Sequence, residues 1–535
     1  MSKLRSLLCL FSACVISVAA WAMPAGHTTG SEAGSLRAAL ESQESASRLA
    51  GETIHAFATL RRFYAARKHE PVWSGPQGSA RLAELLEAVA ASYEHGLLPD
   101  DYHARALRDL RDDEGALARE LLATDAYLTL GAHLTGGKVD PVSIEPDWTA
   151  HSRGRDLAAH LASAIDGSKV AESLAALEPK APEYLVLKDM LRVYREALAH
   201  GEWRPIPPGP ALKSGDKGPR VEALRERLRA TGLLDDPQPA RDVFDASVEA
   251  AVALFQTRIG LEADGIVGAT TWRELNRSAS QRVDQLRANL ERWRWLPDVL
   301  GERHIRVNIA DFRLEAREAD RVVRVHDVVV GRTYRKTPVF SGQISYLVLN
   351  PWWETPDRLA RLDKLPMFRK DPAAVHRLGF EVRDQGGRML DPDAIDWHAY
   401  SSREFPFRLR QQPGPQNALG QVKMMFPNKH NVYLHDTPSR DLFEKNQRAF
   451  SSGCVRVSNA LGLAQWLLDG VATASRERIG SIVASGKETR IDLSAHVPVY
   501  LLYLTAVVGP DREFRFVNDI YERDGLLIEA LGRRG

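Results

Sequence analysis

Ser451-Ser452-Gly453-Cys454-Val455-Arg456, with Val432-Tyr433-Leu434-His435-Asp436 ahead of it, decides how this chain reads. Small polar residues precede the thiol and an alternating Val-Arg-Val follows it. Val432 to Leu434 has the composition of a strand and Thr437-Pro438 opens a turn. His435 therefore falls at a strand end, where a rigid scaffold presents its chemistry. In extended backbone, side chains two positions apart share a face. Arg456 then sides with Cys454, and Tyr433 with His435. Gly453 lets the backbone approach a substrate closely, so the amides of Gly453 and Cys454 are candidates to face a developing oxyanion.

A thiol attacks as its thiolate and needs a base. Of 16 histidines, His435 is the candidate, standing 19 residues before Cys454. His430 lies in Pro427-Asn428-Lys429-His430-Asn431, which reads as an exposed turn. The Arg456 charge either favours the thiolate or holds a carboxylate; a structural ion pair is the alternative. Tyr433 is either a cleft residue or a buried structural aromatic.

The chain has 3 cysteines, and Cys9 and Cys14 fall within the apolar run Leu7 to Ala20. Lys3 and Arg5 precede that run and Ala20-Trp21-Ala22 follows it. This is the layout of a cleaved signal peptide over residues 1–22, directing the chain to the periplasm. An uncleaved inner-membrane anchor is the alternative. After cleavage Cys454 is the sole cysteine in a compartment that favours disulfides, which marks it as a reactive thiol. A buried, inert thiol is the competing reading.

The 535 residues, 44% hydrophobic and 26% charged, fit several globular domains. A net charge of +1 without long like-charge runs gives no reason to expect a nucleic-acid partner. There is no His-Glu-x-x-His, paired-cysteine, Walker or dinucleotide motif, so neither metal nor cofactor is expected. A Gly-x-Ser-x-Gly elbow for a serine nucleophile is also absent.

The two opening stretches resemble the L,D-transpeptidases, whose hallmark is a His-containing strand followed by Ser-x-Gly-Cys-Val-Arg. Further segments carry the likeness: Val307-Asn308-Ile309, Val328 to Gly331, Thr337-Pro338-Val339-Phe340 and Asn350-Pro351-Trp352-Trp353-Glu354-Thr355-Pro356. Ser452 stands where many smaller members have histidine. In that respect, and in Pro413-Gly414-Pro415 through Asn417-Ala418-Leu419-Gly420, the chain is similar to a large multi-domain subtype. A backbone carbonyl is then left to hold the second nitrogen of His435. The resemblance implies Cys454 as nucleophile, His435 as base, and Tyr433, Ser452 and Arg456 as substrate-binding residues.

It also implies a multi-domain α+β fold. A helical scaffold is expected over residues 34–205, where Phe63-Tyr64, Pro71-Val72-Trp73 and Gly96-Leu97-Leu98-Pro99 resemble the subtype. Val221, Leu224 and Leu228, then Val248, Val252 and Phe255, have helical spacing. With Asp264-Gly265-Ile266-Val267-Gly268 they resemble a small peptidoglycan-binding domain over 209–277, a helical spacer being the alternative. A connecting helix over 278–302 leads to a β-rich catalytic domain over 303–520. Residues 353–410 interrupt that domain as a capping lid, expected to be helical over Leu359 to Phe368 and Asp371 to Leu378.

The activity implied is formation of 3–3 crosslinks in peptidoglycan through a Cys454 thioester. Donor and acceptor stem peptides would be the partners, alongside other cell-wall synthesis enzymes, and carbapenems would be inhibitors. Two alternatives stay open: a cell-wall cysteine peptidase or D-amino-acid exchange enzyme on the same stems, and a non-catalytic wall-binding protein.

Overall fold

A computed structural model describes residues 29–42, 48–49, 51–110, 115–150, 153–235, 242–319, 321–472 and 474–533. The signal-peptide reading of residues 1–22 lies outside them. No helix among the described residues is long and apolar enough to cross a membrane.

The N-terminal region is helical and packs around Ala116–Gly136, a helix buried on nearly every side. Its buried Glu120 explains two of the quoted motifs. One carboxylate oxygen accepts from Val72 N–H at 2.5 Å and Tyr64 O–H at 2.8 Å, and the other from Trp73 N–H at 3.0 Å. The Trp73 indole donates to Thr124 one turn on, at 2.8 Å. The Glu120 carboxylate, the Tyr64 hydroxyl and the Trp73 indole thereby find partners, without which burial costs several kcal/mol.

The next unit holds the helices Pro219–Ala230, Ala246–Arg258 and Ala269–Leu275. Val221, Leu224, Leu228, Val248 and Val252 are fully buried in one core, and Phe255 lines it. Gln256 clamps the glycine turn: its amide donates to Asp264 at 2.7 Å and to the Ile266 carbonyl at 2.9 Å, and it accepts from Gly265 N–H at 2.9 Å.

The helix Ala279–Arg294, opened by a Ser278/Gln281 capping box, joins the parts. It is buried almost all round because its polar side chains are matched. Arg294 pairs with Glu291 at 2.5 Å and Arg292 with Asp524 of the C-terminal helix at 2.6 Å. Asn289 exchanges two bonds of 2.8 Å with Thr505.

The β-rich unit is one sheet of nine strands: β1 (Arg303–Asn308), β2 (Arg313–Glu318), β3 (Arg321–Gly331), β4 (Phe340–Leu349), β5 (Val422–Met425), β6 (Leu434–His435), β7 (Ala449–Ser451), β8 (Val455–Val457) and β9 (Thr489–Leu502). The order is β7-β3-β8-β6-β5-β4-β9-β1-β2, and β2 pairs back onto β3. Long β3 meets β2 along its first half and β7 and β8 along its second, which closes the sheet on itself. Inward side chains such as Val330, Leu347, Met424, Leu434, Val455 and Leu501 fill the interior. Burying each stabilises by about 1.5–3 kcal/mol.

The capping insertion between β4 and β5 has helical turns at Leu365–Lys370 and Ala374–Arg377, with a π-turn at Ala360–Lys364. It also has a four-stranded sheet, ordered Trp353–Glu354, Arg408–Gln411, Phe380–Arg383, Met389–Leu390. Strands of two to four residues are too short to show a period. Near the C-terminus the chain leaves β9 at Leu502, and Ala506–Val508 pairs separately with Phe514–Phe516. The helix Asp524–Gly532 then packs against Ala279–Arg294.

Candidate active site

Strands β6 and β8 run parallel, with Leu434 opposite Val455 and His435 opposite Arg456. Val455 N–H donates to the Tyr433 carbonyl at 3.1 Å. Leu434 and Val455 are fully buried in the barrel core. Alternation then turns Tyr433, His435, Cys454 and Arg456 to the opposite face, under the lid. The face-sharing read from the sequence thus holds for all four.

The Cys454 thiol is half-buried and donates weakly to the Asn431 carbonyl at 3.6 Å. Burial pushes its pKa up; hydrogen bonds from Tyr433 and the Arg456 charge oppose this. The Tyr433 hydroxyl itself lies against the thiol, and its ring meets the His435 ring edge-on at 5.6 Å. Tyr433 joins the barrel core to the aromatic core of the lid.

His435 is buried, and burial together with Arg456 lowers its pKa to about 3. Its Nδ1 lies 2.5 Å from the Asp436 carbonyl oxygen. A carbonyl only accepts, so Nδ1 carries the proton and Nε2 keeps its lone pair. Asp436 is held in turn: its backbone N–H donates to the Val422 carbonyl, and its carboxylate accepts from Gln421 N–H, each at 2.9 Å. Gly420, at φ +58°, packs directly on that carboxylate, which leaves no room for a Cβ. No hydrogen bond joins His435 to Cys454 among the described residues.

The thiol loop is braced from two sides. Gly453 sits at φ +124°, in the region only glycine enters readily. Thr337 Oγ1 donates to the Gly453 carbonyl and accepts from Gly331 N–H, both at 2.9 Å. Ser451 Oγ donates to the Cys454 carbonyl at 2.6 Å and accepts from Gly453 N–H at 3.1 Å. This corrects one expectation. In this conformation Gly453 N–H is engaged by Ser451 and does not face an oxyanion. Cys454 N–H has no hydrogen-bond partner among the described residues.

Ser452 is exposed and touches neither His435 nor the thiol. Its hydroxyl accepts from Arg335 at 3.0 Å. Arg335 also forks onto Asp363 of the lid at 2.7 and 2.9 Å. Arg335 and Asp363 thus tie the lid to the thiol loop, a role sequence reading did not assign. Arg456 makes no ion pair among the described residues, and its Nε is buried without a partner. The structural-pair reading of Arg456 is therefore not met. His430 is not a free turn residue: its ring packs on Phe340 at 5.0 Å and its Nε2 lies 3.5 Å from Asp147 of the scaffold. No group of three metal-ligating side chains occurs among the described residues.

Residues 302–479 match the "L,D-transpeptidase catalytic domain" family model, residues 58–191 the "Scaffold domain" and residues 217–275 the "Putative peptidoglycan binding domain". A curated "Putative L,D-transpeptidase" of Haemophilus influenzae is 37% identical over 227 residues, 42% of this chain and 45% of that protein. The N-acetylmuramoyl-L-alanine amidase CwlM of Mycobacterium tuberculosis is 40% identical over 83 residues, 14% of this chain and 20% of that protein. The chain thus spans less than half the length of these curated relatives. A crystal structure of an L,D-transpeptidase from Xylanimonas cellulosilytica aligns over 55% of this chain and 99% of that one, at 18% identity. Its TM-score of 0.17 is too low to bear on the fold. Residues 302–479 are thus similar to the L,D-transpeptidase catalytic domain, and the same chain carries matches to a scaffold domain and to a putative peptidoglycan-binding domain ahead of it.

Proposed function

We propose that the protein is an exported L,D-transpeptidase that forms 3–3 crosslinks between peptidoglycan stems through a thioester on Cys454. The observation that carries this reading is the shared face of Cys454 and His435, with His435 Nδ1 spent on a carbonyl and Nε2 left as a base. A neutral imidazole beside a protonated thiol favours proton transfer during attack over a standing ion pair.

In the first half-reaction Nε2 takes the thiol proton as sulfur attacks the carbonyl carbon of the donor's third residue. The C–S bond forms, the C–N bond to the terminal D-alanine breaks, and the proton passes to the departing amine. The Cys454 N–H, which has no partner among the described residues, stabilises the oxyanion. In the second, the side-chain amine of an acceptor's diamino acid attacks the thioester. His435 removes the amine proton, the C–N bond forms, and the thiolate leaves and is reprotonated. The lid over Tyr433 keeps water from the thioester, which favours an amine over hydrolysis.

Mass spectrometry of purified donor stems, with and without acceptor, tests the reading. The wild type is expected to release D-alanine and, given acceptor, to yield a crosslinked dimer, while Cys454→Ala yields neither. Hydrolysed stems alone would make it a peptidase. Crosslinking by Cys454→Ala would refute the assignment.

A further inference from the structure

Three cations meet beside the thiol, and the acid that faces them, Asp363, is itself paired with Arg335. Arg456 shares the thiol's face and its side chain has no hydrogen-bonded partner among the described residues; its Nε is buried and unsatisfied. Lys364, on the π-turn of the lid, is half-buried. Its ammonium lies over the faces of Trp353 at 5.3 Å and Phe380 at 5.1 Å and has no carboxylate partner among the described residues. Arg332, just past β3, donates from its guanidinium to the Tyr334 hydroxyl at 3.0 Å and makes no ion pair among the described residues. Arg332 and Lys364 both lie within electrostatic reach of Arg456. The adjacent acid, Asp363, is consumed by the fork from Arg335.

Partly buried like charges repel and lose hydration, so an arrangement of this kind is stabilised only when something anionic enters it. Resting on the transpeptidase reading above, we propose that Lys364, Arg332 and Arg456 form a carboxylate subsite that binds the free α-carboxylate of the donor's C-terminal D-amino acid, the leaving group. One amide nitrogen and one Cα separate that carboxylate from the attacked carbon, a span of roughly 3–4 Å. A guanidinium two residues beyond the nucleophile on the same face is placed to meet it. Lys364 comes from the lid, so the subsite is complete only when Asp363 is docked on Arg335. The enzyme then selects stems that end in a free carboxylate, and selects them in the closed state.

The test compares two donor tetrapeptides, one ending in D-alanine and one in D-alaninamide, by kcat/KM for release of the terminal residue. Wild type is expected to prefer the acid by about a hundredfold, the scale of charge-assisted contacts. Lys364→Met should cut that preference about tenfold, by raising KM for the acid alone. Lys364→Arg should restore most of it. Because the ratio is taken within one protein, a partly folded variant cannot mimic the result, and Arg332→Met provides a second reading. Equal use of acid and amide by wild type, or an undiminished preference in both variants, would overturn the subsite while leaving the transpeptidase reading intact. No release of either terminal residue by wild type would overturn both.

Discussion

His435 Nδ1 and the carbonyl oxygen of Asp436, its neighbour in sequence, lie 2.5 Å apart, so the residue that fixes the imidazole tautomer is bonded to it covalently. The carbonyl is held because the Asp436 side chain caps the Gly420–Gln421 turn. Gly420→Ala inserts a Cβ into that carboxylate at a position where φ is +58°. A non-glycine residue in the left-handed region costs about 1–3 kcal/mol, and the clash adds to it. The expected outcome is a turnover loss of at least about tenfold with folding retained. D-alanine release and circular dichroism measure the two.

The electrostatics give a pH signature. With its pKa at about 3, His435 stays neutral throughout the ordinary histidine range, while the thiol is raised. Alkylation of Cys454 by iodoacetamide should therefore rise in a single step above the ordinary thiol range of about 8.5. No inflection is expected near 6.5. A second step there would mean that His435 titrates as an exposed histidine.

Stability should fall on acidification. His133 is lowered to about 3 by burial, and Lys138 and Arg294 add to it. Its Nδ1 instead shares a hydrogen bond with Tyr102 at 2.9 Å. Between pH 3 and 6.5 the unfolded chain binds the proton and the folded chain does not, so stability drops as pH falls through this window. At pH 5 the loss is about 2 kcal/mol for His133 and the same for His435. Tm measured from pH 7.5 to 5 should decline, and His133→Gln should flatten part of that slope.

The pattern of two along β6 and β8 made the site legible, because Tyr433, His435, Cys454 and Arg456 need only local periodicity to be grouped. What braces them was not legible. Thr337 lies 116 residues from Gly453, and nothing in either segment announces their bond. Ser451 read only as one of the small polar residues before the thiol, yet its hydroxyl engages the Gly453 amide assigned to the oxyanion. Arg294 and Glu291 are both fully buried, and nothing in the helical spacing of 278–302 announces their pairing. The insertion was expected from the family resemblance, and its strands, as short as Trp353–Glu354, carry no signal of their own.

Thr337→Val isolates the brace from the chemistry. The substitution keeps the shape and removes the hydroxyl between Gly331 N–H and the Gly453 carbonyl. Each group left buried and unpaired costs about 1–3 kcal/mol. Tm should fall by several degrees, and kcat should drop about tenfold as the thiol loop loses register. KM should change less than kcat, since the Thr337 hydroxyl bonds backbone groups and not the cationic side chains assigned to substrate. An unchanged kcat would show that the loop is held by Ser451 alone.

Opening the lid should change which nucleophile resolves the thioester. Arg335 is the single residue seen to bridge Asp363 of the lid and Ser452 beside the thiol. Asp363→Asn keeps the volume and removes the charge-assisted fork, a loss of about 1.5–3 kcal/mol from closure if the pair is well ordered. Asp363 is 37% exposed, so solvent screening reduces this and the lower end is expected. A bulky maleimide should then label Cys454 several-fold faster than in wild type, because access is gated by the lid. At the same time, water should compete better for the thioester. The ratio of hydrolysed stem to crosslinked dimer, read by mass spectrometry at fixed acceptor, should rise along with the labelling rate. If labelling accelerates while the product ratio stays put, the lid gates entry and acceptor choice is made elsewhere, by contacts to the second stem.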